Sequence, residues 1–458
     1  MRYTVSMLKR SHLLTSSLSC LALLALTACG SSSTSNSSSS STSSSASSSA
    51  TSSSSASASQ APITEASSPN SRIALTYDGG IMILDGKTFE VIQTIEKEGF
   101  LRLQPAGDNR HLVVADGSSY TMLDMGAWTQ AHGDHDHYYT TTPTLTSLSF
   151  AADGTGHVIT DYGRSAMFAD NTGTIEVYSP ADLTGTDQYT ASSVSTETIT
   201  LPSPHHGLAI PLENNQYLVS VGTEDARTGA AVINADGSVV TENLDCPGIH
   251  GEAIAANNTF TVGCQDGALI YSEGTFTKIS NPEDPYSRSG NQAGDPNSEI
   301  VLADYKTDKE AELERPEQFS LINTVTKERT KIALPEGVSY TFRSLARGPE
   351  SSHLLLTTDG KLRFWAEDGT ELGSVDIMDP WTESTVWQDP RPAIWVDGET
   401  AYVTDPASKK LHVISLAKIA EGSAEVFASV DLPQVPNEIN GISRTAELVT
   451  TTEVDSDH

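Results

Sequence analysis

The chain has 458 residues and a formal charge of −32, from 27 basic and 59 acidic side chains. A field this negative excludes binding to nucleic acid or anionic surfaces by general electrostatics, and it concentrates cations instead.

Residues 1–28 read as an export signal. Arg2, Lys9 and Arg10 give a positive start, and the apolar stretch ending in Leu21-Ala22-Leu23-Leu24-Ala25 is too short to span a bilayer. Leu26-Thr27-Ala28-Cys29 resembles a bacterial lipobox, in which Cys29 becomes the acylated first residue of the mature protein. A plain secretory signal is the alternative. The expected product is an exported lipoprotein, membrane-anchored and facing the periplasm or the cell exterior. Residues 29–70 comprise this Cys and a tract of Ser with some Thr and Ala. Such a tract has too few apolar groups to offset the entropy of ordering, so it is expected to be a disordered tether.

Residues 71–448 show the pattern of an all-β domain. Apolar runs of four to six residues are separated by Gly, Asp, Asn and Pro, and only 415–421 offers a helical turn. One phrase recurs at 81–85, 120–124, 174–178, 231–234, 268–271, 320–323, 362–365 and 411–414. The mean spacing is about 47 residues, the period of β-propeller blades. The pattern predicts a single β-propeller of eight blades, with seven as the alternative. A C-terminal strand at 438–442 would supply the innermost strand of the first blade, whose own sequence starts late, at Ile73. Residues 449–458 are expected to be a disordered tail.

Histidine is used sparingly, 12 times in the chain, yet it clusters. His132-Gly133-Asp134-His135-Asp136-His137 is a polar insertion between two blade strands, expected to be an exposed flexible loop. Pro204-His205-His206-Gly207 and Ile249-His250-Gly251-Glu252 each lead into the first strand of a blade. First strands line the central channel, so equivalent phrases in adjacent blades would meet at one mouth. Imidazole and carboxylate suit Zn²⁺ and similar borderline ions, which nominates His205, His206, His250 and Glu252 as a channel site. Adjacent residues of an extended chain point to opposite sides, so one of His205 and His206 is expected to enter the channel. The loop residues His132, Asp134, His135, Asp136 and His137 form a second, weaker candidate. Cys246 and Cys264, in an oxidising compartment, are expected to form a disulfide.

Taken together, the His/Asp loop, Pro-His-His-Gly-Leu-Ala at 204–209, Cys-Pro-Gly-Ile-His-Gly-Glu-Ala at 246–253 and Gly-Cys-Gln-Asp-Gly at 263–267 resemble the exported zinc metallochaperones of the AztD type. The likeness covers about residues 72–445. It implies a propeller that passes zinc to the solute-binding protein of a zinc ABC importer, as a carrier and not an enzyme. It implies that His205, His206 and His250 belong to a buried zinc site, with the loop capturing or delivering zinc. The lipobox and the long Ser tract depart from that family and suggest a tethered variant; a monomer is expected. Two other readings compete. One is a propeller enzyme, such as a lactonase or dehydrogenase, with Glu252 as general base, although G-x-S-x-G and H-E-x-x-H are absent. The other is a surface-binding scaffold that needs no metal.

Overall fold

The structure, a computed structural model, describes residues 61–443. The export signal, Cys29, nearly all of the Ser tract and the tail at 449–458 lie outside the described residues. Within them, helix is confined to short 3-10 turns, one of which, Ile419–Glu421, falls where the sequence offers a helical turn.

The strands form eight four-stranded antiparallel sheets and one three-stranded sheet. Each four-stranded sheet is a meander. The third, for example, runs Thr155–Asp161, Arg164–Ala169, Thr174–Tyr178 and Thr196–Thr200 in spatial order. The first sheet departs from this rule, because its first strand comes from the far end of the described chain: Ile439–Ile442 pairs with Arg72–Tyr77, Ile439 opposite Leu75. The architecture is propeller-like.

Burial explains the sequence pattern. Second and third strands are covered on both faces by neighbouring sheets, so they read as continuous apolar runs; His111–Ala115 and Thr259–Cys264 are buried at every position. Fourth strands lie at the outer edge and alternate, as in Glu425–Asp431. Consecutive sheets share packed clusters. Leu218 and Val232 of the fourth sheet meet Val262 and Leu269 of the fifth. Ile73, Leu75 and Met82 of the first meet Tyr402, Leu411 and Val413 of the eighth. Each such buried side chain contributes roughly 1.5–3 kcal/mol, and this packing sets the spacing of the first strands.

Strand direction defines two faces. In an antiparallel meander, the connection into the first strand and the one between second and third lie at one end, called here the entry face. The connections after the first and third strands lie at the other, the exit face. First strands of neighbouring sheets run the same way, as the parallel bridge between Ala255 and Asp295 shows for the fifth and sixth.

The three-stranded sheet is built on a hairpin inserted between the third and fourth strands of the second sheet. It comprises Ala127–His132, His135–Thr140 and Thr64–Ala66. The His132–His137 segment, expected to be a flexible loop, is instead the end of a β-hairpin in which His132 faces His135 and Gln130 faces His137. Gly133, with φ of 64°, takes the left-handed position of the two-residue turn, which lets the flanking residues pair. Thr64–Ala66, within the stretch expected to be tether, pairs with this hairpin, Thr64 opposite Thr140.

Candidate metal centres

Among the described residues, two groups of three histidines each bring ligand atoms within 4.8 Å of one another. The inner group is His157, His206 and His250. His157 stands in Thr155–Asp161, the first strand of the third sheet. His206 lies in the connection entering Ala209–Leu212 of the fourth, and His250 opens His250–Ala255 of the fifth. Three successive sheets therefore contribute one imidazole each, all at the entry face.

Each ring is held through Nδ1. His157 Nδ1 donates to Glu252 Oε1 at 3.0 Å, His206 Nδ1 to Asp170 Oδ2 at 2.6 Å, and His250 Nδ1 to the Gly290 carbonyl at 2.6 Å. A carbonyl or carboxylate only accepts, so in the neutral rings Nδ1 carries the proton and Nε2 carries a bare lone pair. His206 Nε2 and His250 Nε2 nevertheless face each other at 3.1 Å. Two lone pairs at this distance repel unless a cation lies between them. Nitrogen ligands about 2.0–2.1 Å from a tetrahedral Zn²⁺ stand about 3.3 Å apart. The donor set therefore fits a borderline divalent ion, with outer partners that fix ring orientation. Glu252 Oε2 is buried with no hydrogen-bond partner, an additional anionic oxygen beside the rings.

The electrostatics divide the rings. Burial disfavours the imidazolium at His157, but the facing Glu252 carboxylate outweighs it and raises the pKa above the ordinary histidine value. Burial, reinforced by His157 and His206, pushes His250 well below that value and keeps it neutral. Arg227 and Arg288 brace the backbone here, donating to the carbonyls of His206 and Gly248.

Of the residues nominated from sequence, His206 and His250 come together, with Glu252 orienting the neighbouring ring. His205 does not join them. It is 1% exposed and packs against Phe168, its Nδ1 donates to the Ser203 carbonyl, and its Nε2 accepts from the Ser220 hydroxyl at 2.8 Å. The glycines after each His serve the protein's own packing. A Cβ on Gly207 would strike Phe168 and Ser220 Oγ at 2.5 Å, and one on Gly251 would strike the Gly290 carbonyl at 2.4 Å. His157, Asp170 and Gly290 were not nominated. For His157 a signal existed: one repeat period before His206 lies another first strand, and it carries this histidine.

Cys246 and Cys264 form a disulfide across 18 positions, with Cα atoms 4.9 Å apart, both fully buried. It ties the segment leading into His250 to the strand paired with it, where His250 stands opposite Gly263.

The outer group is His132, His135 and His137 on the hairpin. His137 Nδ1 donates to Glu65 Oε1 at 2.7 Å, and His135 Nδ1 to Asp134 Oδ1 at 3.1 Å. Asp136 is exposed on the same ribbon. The base of the hairpin is fixed by Trp128, which stacks on Tyr139 and lies under the Arg110 guanidinium, 3.8 Å from the ring centroid. A cavity of about 700 Å³ lined by Glu299, Glu328 and Glu367 touches neither histidine group.

Comparison with known proteins points the same way. The zinc chaperone AztD of Citrobacter koseri is 24% identical over 362 residues, covering 75% of this chain and 81% of its own length. This chain resembles the zinc chaperone AztD. The crystal structure of Citrobacter koseri AztD matches with a TM-score of 0.67 at 20% identity, over 82% of this chain and 98% of that one. The structure of apo AztD matches with a TM-score of 0.68 and the same coverage. The likeness to AztD thus extends through the fold. No family model matches the chain.

Proposed function

We propose that this protein is an extracytoplasmic zinc metallochaperone, a carrier and not an enzyme. It holds Zn²⁺ at His157, His206 and His250 and hands it to the solute-binding protein of a zinc ABC importer. The observation that carries this reading is the convergence of imidazoles whose Nδ1 atoms are all committed to outer partners. Such a group has no better use for its Nε2 lone pairs than a cation. The resemblance to AztD supplies the choice of zinc and the direction of transfer.

In this reading Glu252 and Asp170 orient the ligands, Glu252 Oε2 is a candidate for a further oxygen ligand, and His205 buttresses the segment that carries His206. The hairpin, with His132, Asp134, His135, Asp136 and His137, is a second and weaker zinc site completed by Glu65. The eight sheets are the blades of one closed propeller, with Ile439–Ile442 as the closing strand. The chain is exported, anchored to the membrane by lipid on Cys29, and monomeric. Anchoring keeps the carrier near an importer in the same membrane system, and the acidic surface favours capture of the cation.

Zinc titration against a competing chelator tests the reading. The full chain is expected to bind one tight and one weaker equivalent. The His157→Ala/His206→Ala/His250→Ala variant is expected to lose the tight one alone. A wild-type chain that takes up no zinc in this competition would sink the proposal.

A further inference from the structure

The two histidine groups stand at opposite ends of the sheets. His206 and His250 enter first strands, and their partners Asp170 and Gly290 sit in a second-to-third and an entering connection. All of these belong to the entry face. The hairpin follows the third strand of the second sheet, which ends at the exit face. Its contacts agree. Trp128 lies under Arg110, from the connection after a first strand, and Gln130 accepts from Gln188, from the connection after a third strand. A strand of about five residues, ~17 Å long, separates the faces. The hairpin is held away from the entry face by Trp128 and by its pairing with Thr64–Ala66.

We infer that zinc does not pass from the hairpin to the inner group within one molecule: the protein is a two-ended carrier whose ends exchange zinc with different partners. The inference rests on the zinc reading above. Transfer through a shared-ligand intermediate needs donor and acceptor imidazoles on one ion, within about 4 Å of each other. The hairpin meets that condition with another protein that docks on the exit face. It does not meet it with His157, His206 and His250 of its own chain. The exit-face partner must offer nitrogen or carboxylate ligands of its own at an exposed site, because Asp134 and His135 at the hairpin tip are reached without opening the fold.

Filling kinetics test this with the full chain and Zn²⁺ supplied from a weak chelator buffer. Inner-site zinc is counted as metal that survives a brief chelator quench. Wild type is compared with the His132→Ala/His135→Ala/His137→Ala variant, both with the inner site intact. The inference expects the inner site to fill at the same rate, within about twofold, in both. Any acceleration by the hairpin should rise with protein concentration, as transfer between molecules requires. Intramolecular relay would act at a high effective concentration, so wild type would fill at least about tenfold faster at a rate independent of protein concentration, and that result would overturn the inference. Titration of the His206→Ala/His250→Ala variant separates the two failures. If its hairpin binds no zinc, the inference falls, while the carrier reading of the inner group stands or falls on the wild-type titration.

Discussion

The inner and the hairpin groups each contain three imidazoles and differ in what holds them. At the inner site each ring comes from a different sheet, and the orienting carboxylates Asp170 and Glu252 are 18% and 19% exposed. On the hairpin all three rings come from one ribbon, and the corresponding carboxylates, Asp134 and Glu65, are 101% and 60% exposed. Carboxylates in water turn freely and are screened, so they fix a ring weakly. On the zinc reading, the difference teaches that affinity is set by the shell around the imidazoles more than by their number. It also suits the inner site to retention and the hairpin to rapid exchange.

The comparison breaks most sharply when a ligand is removed. His250→Ala should weaken the tight site by more than about 100-fold, beyond the 10–100-fold typical of an outer partner, and leave the hairpin equivalent untouched in the same titration. The disulfide sharpens it next. Cys246→Ser/Cys264→Ser should cost about 3 kcal/mol in denaturant unfolding, and should weaken inner binding while sparing the hairpin. Asp170→Asn should lower inner affinity by about 10–100-fold, whereas Glu65→Gln should change hairpin affinity by no more than about fivefold.

Acid sharpens the contrast last. His157 must release its proton to bind metal, and Glu252 raises its pKa, so inner affinity should fall as pH drops toward and through about 6.5. Glu252→Gln removes the raising charge and should move that fall to lower pH. It also removes an outer partner, so the midpoint of the pH profile, not the affinity alone, is the readout.

Much of this is legible in the sequence because it repeats. The apolar second and third strands recur with the period that burial between neighbouring sheets requires, and the histidine phrases before Ala209 and at His250 stand out against few other histidines. The hairpin reads as a loop because a run of His and Asp has no apolar face. Its order comes from Trp128, Tyr139 and Arg110, which surround its base, and from Thr64–Ala66, far away in sequence. His157 is marked only by its place one repeat period before His206, because it stands alone in an ordinary strand without a His-Gly phrase. The His205–His206 pair is not resolved by sequence, since both precede the strand; Ser203 and Ser220, which occupy both ring nitrogens of His205, are visible only once the chain is folded.

The most direct test of the central claim is zinc K-edge absorption spectroscopy on the His132→Ala/His135→Ala/His137→Ala variant loaded with one equivalent of Zn²⁺. The account predicts three imidazole nitrogens at about 2.0–2.1 Å, with any remaining ligand an oxygen. A shell with one imidazole or none, or with sulfur, would contradict it.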